Sequence, residues 1–130
     1  QHITRWVVGG HSLGGTVAAM QADAADTDHS RPVVGLLLFA SYPASDISTS
    51  LHAPVLSIAG SRDGLATPDK IAASTTLLPA DATFMSIEGA AHSFFGDYGA
   101  QPGDGTPTIS QDVARAEISG AAVDFVDKRR

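Results

Sequence analysis

The chain has 130 residues, no cysteine, and 8 Lys+Arg against 14 Asp+Glu, for a formal net charge of −6. This length allows one domain with a core of its own, and the absence of cysteine excludes disulfides, thiolate metal sites and a cysteine nucleophile. The acidic balance argues against nucleic acid as the main partner, and no apolar run reaches the roughly 20 residues of a membrane span. The sequence leaves the cellular location open.

Short apolar, β-branched segments alternate along the chain with segments of helical periodicity. Strands are predicted at residues 3–9, 33–40, 54–59 and 82–87. Helices are predicted at residues 12–25, from 67 to about 78, and at about 111–127. Strands joined by helical crossovers predict an α/β fold, a parallel sheet with flanking helices, in one domain over residues 1–130.

Both long helices show an apolar face at helical spacing, and this periodicity predicts an α-helix. In the first helix this face consists of Leu13, Val17, Met20 and Ala24. In the last helix it consists of Ala114, Ile118, Ala121, Ala122 and Phe125. The Gly-, Pro- and Asp-rich stretch at 96–107 predicts a loop.

The strongest motif is Gly10-His11-Ser12-Leu13-Gly14, a Gly-x-Ser-x-Gly pattern between the first predicted strand and helix. A nucleophilic serine in such a turn is strained, so the positions of Gly10 and Gly14 need residues nearly free of side chain. The Leu13 backbone N–H is then placed to donate to an oxyanion. The alternative is a Gly-rich turn with Ser12 as a plain N-cap. We interpret His11 as structural, with its ring pointing away from the site.

A nucleophilic serine needs a base, and the base needs a carboxylate that orients it. Asp63 follows the third predicted strand and His92 follows the fourth, at the end of the sheet where the elbow also lies. Ser12, Asp63 and His92 therefore predict a catalytic triad. Asp69 is a rival acid, but its predicted place in the first turn of a helix suits a partner of the helix dipole.

Two carboxylates in the predicted loop, Asp97 and Asp104, raise the question of a bound cation. The loop lacks the ligand spacing of an EF-hand, so we interpret both as turn residues. The sequence thus predicts no metal and no organic cofactor.

Taken together, Gly-His-Ser-Leu-Gly at 10–14, Gly-Ser-Arg-Asp at 60–63 and Gly-Ala-Ala-His at 89–92 resemble the C-terminal half of an α/β-hydrolase. The stretch at 92–99 resembles bacterial esterases, lipases and hydrolases related to dienelactone hydrolase. The resemblance implies Ser12 as nucleophile, His92 as general base and Asp63 as the acid. The chain departs from dienelactone hydrolase itself, which has a cysteine at the elbow.

The family has further strands before the elbow strand, and a loop among them supplies a second oxyanion N–H; no segment of this sequence corresponds to them. The elbow strand would then be a sheet edge with unpaired backbone groups. Because the first residue is Gln1 and not Met, we expect a fragment. Its partner would be the missing N-terminal half of the same protein, or a second copy associated along the elbow strand.

The predicted function is hydrolysis of a small-molecule carboxylic ester through an acyl-enzyme on Ser12. A thioesterase, peptidase or acyltransferase with the same triad, a lyase, and a non-catalytic module that keeps the fold are the alternatives. The short connection at 41–53 favours an open site and a small or exposed ester. Four residues are candidates for the pocket lining, or else belong to the core: Tyr42, Leu65, Phe94 and Phe95.

Overall fold

The computed structural model describes residues 3–26 and 32–130. Within these ranges four strands form one parallel sheet in the order β1-β2-β3-β4: β1 Trp6–His11, β2 Val33–Phe39, β3 Val55–Gly60 and β4 Thr83–Ile87. The α-helices are α1 Leu13–Ala25, α2 Pro68–Ala73 and α3 Gln111–Asp127, and two 3₁₀ helices span Ser74–Leu77 and His92–Phe95. The predicted fold class, a parallel sheet with flanking helices, is confirmed.

Helices cover both faces of the sheet. Side chains alternate along β2, so Leu36 and Leu38 pack with the alanines of α1 on one face, while Leu37 packs on the other. That second face is covered by α3 through Ile118 and Phe125, two residues of its predicted apolar face. β2 and β3 are thereby enclosed between two helical layers.

The apolar residues whose spacing predicts α1 do not face the sheet. Leu13, Val17 and Met20 are 76%, 57% and 59% exposed, and Ala24 is exposed as well. The residues that α1 buries are all small: Gly15, Ala18, Ala19 and Ala22. α1 therefore packs on the sheet through its glycine and alanine residues and not through its most apolar residues.

The elbow strand β1 lies at one edge of the described sheet, as the sequence led us to expect. It begins at Trp6, three residues later than predicted, and continues to His11. Trp6 is 42% exposed at this edge. β4 forms the opposite edge, and the first four of its five residues are exposed.

Between β3 and β4 the chain follows the predicted helix signals closely. The Thr67 hydroxyl accepts the Lys70 N–H at 3.3 Å, Pro68 occupies the first turn, and Asp69 lies beside it. The helix narrows to 3₁₀ geometry after Ala73. No helix in the described ranges is long and apolar enough to cross a membrane.

Candidate active site

β1 passes into α1 through a single strained residue, Ser12. Its φ of 54° and ψ of −124° lie in a backbone region that residues other than glycine rarely adopt. Two hydrogen bonds hold it there, one at the end of β2 and one just beyond it: the Ser12 N–H donates to the Phe39 carbonyl at 3.1 Å, and the Ser41 hydroxyl donates to the Ser12 carbonyl at 2.5 Å. Strain of this kind persists only where the surroundings enforce it.

Two other helix starts show what a plain N-cap looks like in this protein. Thr67 and Ser110 have extended backbones, with φ of −63° and −72°, and their hydroxyls accept an N–H from the first helical turn. Ser12 has a positive φ and makes no side-chain cap hydrogen bond. Its hydroxyl is therefore not committed to the helix start, and the N-cap interpretation of Ser12 does not hold.

The glycines around Ser12 do not all serve the turn in the same way. A Cβ on Gly10 would lie 2.3 Å from the Gly14 carbonyl carbon, so Gly10 is required. A Cβ on Gly14 would meet no described atom within 4 Å, so the predicted steric need at Gly14 is absent. The second required glycine is Gly15, where a Cβ would lie 2.4 Å from the Ser41 hydroxyl.

Asp63 and His92 meet in a buried hydrogen bond. Asp63 Oδ2 lies 2.7 Å from His92 Nδ1, with the two side chains 0% and 4% exposed. The other oxygen of Asp63, Oδ1, accepts the Leu65 and Ala66 N–H groups, both at 2.8 Å. Because a carboxylate only accepts, the His92 proton lies on Nδ1 and Nε2 is left as the basic nitrogen.

A cavity of about 300 Å³ opens beside Ser12 and His92. Its wall comes from the elbow, from the loops after β2 and β3, and from the segment after β4: Ser12, Leu13, Thr16, Ala40, Ser41, Tyr42, Leu65, Ala66 and His92. Tyr42 and Leu65 are thus among the lining, whereas Phe94 and Phe95 are not. Both pack against the core under α3, and Phe95 also packs against the cluster that contains Ala40 and Ala66. A larger groove of about 1000 Å³, between α3 and strands β3 and β4, is lined by none of the predicted site residues.

The ring of His11 lies against the ring of His92, so the expectation that it points away is wrong. Their centroids are 4.6 Å apart, and His11 also stacks on Phe95 at 6.2 Å and hydrogen-bonds the Tyr98 hydroxyl. Burial, and then the proximity of His92, lower the pKa of His11 below its ordinary value of 6.5, although Asp63 opposes this. His11 is therefore held as a neutral ring beside His92.

The acids of the loop at 96–107 make contacts within the chain that reach beyond the turns in which the sequence places them. Asp97, 98% exposed, pairs with Arg115 at 3.0 Å, and the Asp104 carboxylate accepts only backbone N–H groups among its described contacts. In the part of the chain that the structure describes, no group of three or more His, Asp or Glu could hold a metal ion. Sequence reasoning missed the roles of Ser41 and Asp104; the glycines on both sides of Asp104 were the one local signal.

Fold and site together define an α/β protein whose polar groups gather where the parallel strands end, around a strained strand-to-helix serine. The chain belongs to the alpha/beta hydrolase family, whose sequence model matches residues 1–116. The resemblance inferred from the motifs is thereby confirmed. A search of curated proteins finds no match.

Solved structures share this fold at low sequence identity. A dienelactone hydrolase-like promiscuous phosphotriesterase from metagenomic libraries has a TM-score of 0.69 at 16% identity, over 94% of this chain and 51% of that one. Thermogutta terrifontis esterase 2 phosphoramylated by tabun gives 0.62 at 18% identity, over 94% and 54%. Paleococcus ferrophilus monoacylglycerol lipase gives 0.59 at 16% identity, over 97% and 69%. The chain thus spans about half the length of the first two.

Proposed function

We propose that the protein is a serine hydrolase that cleaves a carboxylic ester through an acyl-enzyme on Ser12. The observation that carries this proposal is the backbone of Ser12, strained at a φ of 54° and without a cap hydrogen bond, unlike Thr67 and Ser110. A strained serine with an uncommitted hydroxyl at the head of a helix is the geometry of a nucleophile elbow.

In the proposed reaction, His92 Nε2 takes the proton of the Ser12 hydroxyl as its oxygen attacks the ester carbonyl. His92 returns this proton to the leaving alcohol, and then activates the water that hydrolyses the acyl-enzyme. Asp63 holds His92 in the required tautomer and stabilises the imidazolium through the 2.7 Å hydrogen bond. The proposed chemistry needs no metal and no organic cofactor.

The proposed oxyanion donor is the Leu13 N–H. Leu13 is the first residue of α1, and the first N–H groups of a helix have no acceptor within the helix. The positive end of the helix dipole adds to the stabilisation of negative charge at that point. Removal of one such donor in other hydrolytic enzymes costs about 10²–10³ in kcat, which is the scale we assign to this N–H.

The proposed substrate is an ester with a small acyl group. The cavity beside Ser12 holds about 300 Å³, at the lower end of the range for small-molecule sites. Tyr42 and Leu65 give it an apolar part of the wall, and the exposed Leu13 at its rim leaves it open to solvent. Three neighbours in fold are an esterase, a lipase and a phosphotriesterase, which favours ester bonds over amides.

We also propose that further strands of the same protein pair with the free edge of β1. In support, β1 is an edge strand, Trp6 is 42% exposed, and the first two solved neighbours are nearly twice as long as this chain. The N–H groups of Trp6 and Ser12 point to β2, so the alternate N–H groups of Val7, Gly9 and His11 point outward.

Amide hydrogen exchange on the full-length protein tests this pairing. We expect protection of the Val7, Gly9 and His11 amides at every protein concentration. Protection of these amides only at concentrations where the protein forms a dimer would show that a second copy pairs with the edge of β1. Fast exchange of all three at every concentration would contradict any pairing.

The test of the proposed reaction is a panel of p-nitrophenyl esters, thioesters and anilides of matched acyl length. We expect turnover of short-chain esters, and its loss in Ser12→Ala. Ser110→Ala is the matched control, since it removes the same hydroxyl from a helix start and should leave turnover unchanged. Turnover confined to thioesters or anilides would contradict the substrate class, and turnover that survives in Ser12→Ala would contradict the nucleophile.

A further inference from the structure

One carboxylate outside the proposed triad holds the two loops that carry Asp63 and His92. Asp104 lies in the loop between the His92–Phe95 3₁₀ helix and α3. Its Oδ1 accepts the N–H of Gly64 at 3.1 Å, of His92 at 3.0 Å and of Gly105 at 2.8 Å. Its Oδ2 accepts the N–H of Ser93 at 3.0 Å.

These hydrogen bonds join segments far apart in sequence. Gly64 follows Asp63 directly, in the loop after β3, and His92 and Ser93 lie after β4. A single carboxylate therefore fixes the backbone next to the proposed acid relative to the backbone of the proposed base. Each bond from a backbone N–H to a charged acceptor is of the strong kind.

The backbones themselves are in close contact around Asp104, and glycine makes this contact possible. A Cβ on Gly105 would lie 1.8 Å from the Arg62 carbonyl oxygen. A Cβ on Gly64 would lie 2.6 Å from the Gly103 carbonyl oxygen. The backbone at 103–105 thus packs directly against the backbone at 62–64, and the Asp104 side chain also accepts the His92 N–H.

The carboxylate of Asp104 is kept ionised in this position. Burial raises its pKa, but the N–H groups of Ser93, Gly64, His92 and Gly105 together lower the pKa below the ordinary value of 3.8. At neutral pH it is therefore a charged acceptor, which a neutral amide of the same shape does not reproduce.

We propose that Asp104 is a positioning residue for the Asp63–His92 pair: it sets the distance between the two loops and so the alignment of the His92 ring. This inference rests on the proposed function for its catalytic consequence. Asp104 does not line the cavity beside Ser12, so it acts through the backbone and not on the substrate. We expect its loss to reduce kcat about 10- to 100-fold with little change in KM, the scale of a misplaced catalytic group.

The test compares Asp104→Asn with Asp97→Asn in the full-length protein. The asparagine side chain of Asp104→Asn would present one acceptor oxygen and one amide group, and the amide group cannot accept the N–H it faces. Asp97 is the matched control, because it is an acid of the same loop whose side chain is 98% exposed. Asp104→Glu is a second variant, which keeps the charge and displaces the oxygens by one methylene.

The first readout is the proton NMR resonance of the His92 Nδ1–H, which reports the hydrogen bond to Asp63 whether or not the protein is an enzyme. We expect this downfield resonance in the wild type and in Asp97→Asn. In Asp104→Asn the resonance should shift, or disappear through exchange with water, and in Asp104→Glu the same change should be smaller. Retention of the unchanged resonance in Asp104→Asn would overturn the proposal. Wild-type behaviour of Asp104→Glu beside an impaired Asp104→Asn would support the proposal, because the carboxylate that accepts the backbone N–H groups is retained in Asp104→Glu.

The second readout is hydrolysis of the best ester of the panel. A fall in kcat with KM unchanged in Asp104→Asn supports positioning, whereas a rise in KM alone contradicts it. If the wild type shows the resonance but hydrolyses nothing, the proposed function fails, and the resonance alone still decides the role of Asp104. Circular dichroism checks that the variant keeps its secondary structure. Loss of the folded spectrum in Asp104→Asn would contradict a positioning role, because Asp104 would then determine the whole fold.

Discussion

The contacts of Asp63 make Asp63→Asn an unusually well-defined perturbation. Asp63 Oδ1 accepts two backbone N–H groups, from Leu65 and Ala66, each at 2.8 Å. An asparagine at this position must keep its oxygen on these donors, because the reverse orientation would place an NH₂ group against both of them. That reversal would leave one buried donor and one partly buried donor unsatisfied, at up to about 1–3 kcal/mol each.

The asparagine NH₂ group would therefore face His92 Nδ1, at the place where Asp63 Oδ2 now lies 2.7 Å away. Donation to Nδ1 puts the imidazole proton on Nε2, so that the ring cannot accept the proton of Ser12. The same tautomer error in a serine protease lowers kcat about 10⁴-fold, which corresponds to about 5–6 kcal/mol of transition-state stabilisation. We expect a loss of this size with little loss of stability, because both backbone N–H groups stay paired.

The assay is kcat for hydrolysis of a p-nitrophenyl ester, with thermal unfolding measured in parallel. Asp69→Asn is the matched control, because Asp69 is the rival acid of the sequence and lies exposed in the first turn of α2. Its activity should stay within about twofold of the wild type. Folded Asp63→Asn with activity within tenfold of the wild type would refute the reasoning, as would an equal loss in Asp69→Asn.

Three further predictions concern the elbow. Gly15→Ala should lower the free energy of unfolding by about 1–3 kcal/mol, because its Cβ would lie 2.4 Å from the Ser41 hydroxyl. Gly14→Ala should raise it by about 0.5–1 kcal/mol, because the site is open and alanine favours the helix; denaturant unfolding that ranks the two variants in the opposite order would be incompatible with this geometry. The pKa of His11 is lowered from 6.5 in the folded protein, so the unfolded chain takes up the proton first as pH falls. The contribution of neutral His11 to the free energy of unfolding should therefore be complete above pH 6.5, and the free energy of unfolding should decline as the pH falls toward the pKa of His11 in the folded protein. Urea unfolding from about pH 8 to about pH 5 should show this decline in the wild type and a smaller one in His11→Gln, and equal slopes would contradict the assignment to His11.

The fold class was predictable because each strand and helix carries its own local signal. Alternation of β-branched segments with helical periodicity leaves few topologies besides a parallel sheet. Thr67-Pro68 and Ser110 mark the starts of α2 and α3 through capping chemistry that is local in sequence. Ser12 carries a local signal of a different kind, the glycines around it.

The orientation of α1 and the role of Asp104 were not predictable in the same way. The spacing of Leu13, Val17 and Met20 predicts the helix but not the side that it buries, which consists of glycine and alanine. Asp104 acts through contacts 11, 12 and 40 residues away along the chain. Such contacts depend on how the loops meet in three dimensions, and no periodicity or spacing reports them.

The central claim is that Ser12 is a nucleophile activated by His92, and its most direct measurement is covalent labelling. A fluorophosphonate is an appropriate probe, because it reacts with a serine hydroxyl that an adjacent base activates. A fluorophosphonate should label the full-length protein once, with the added mass on the peptide that contains Ser12, and label neither Ser12→Ala nor, at a comparable rate, His92→Ala. The absence of labelling in the folded wild type, or labelling of a different serine, would contradict the account.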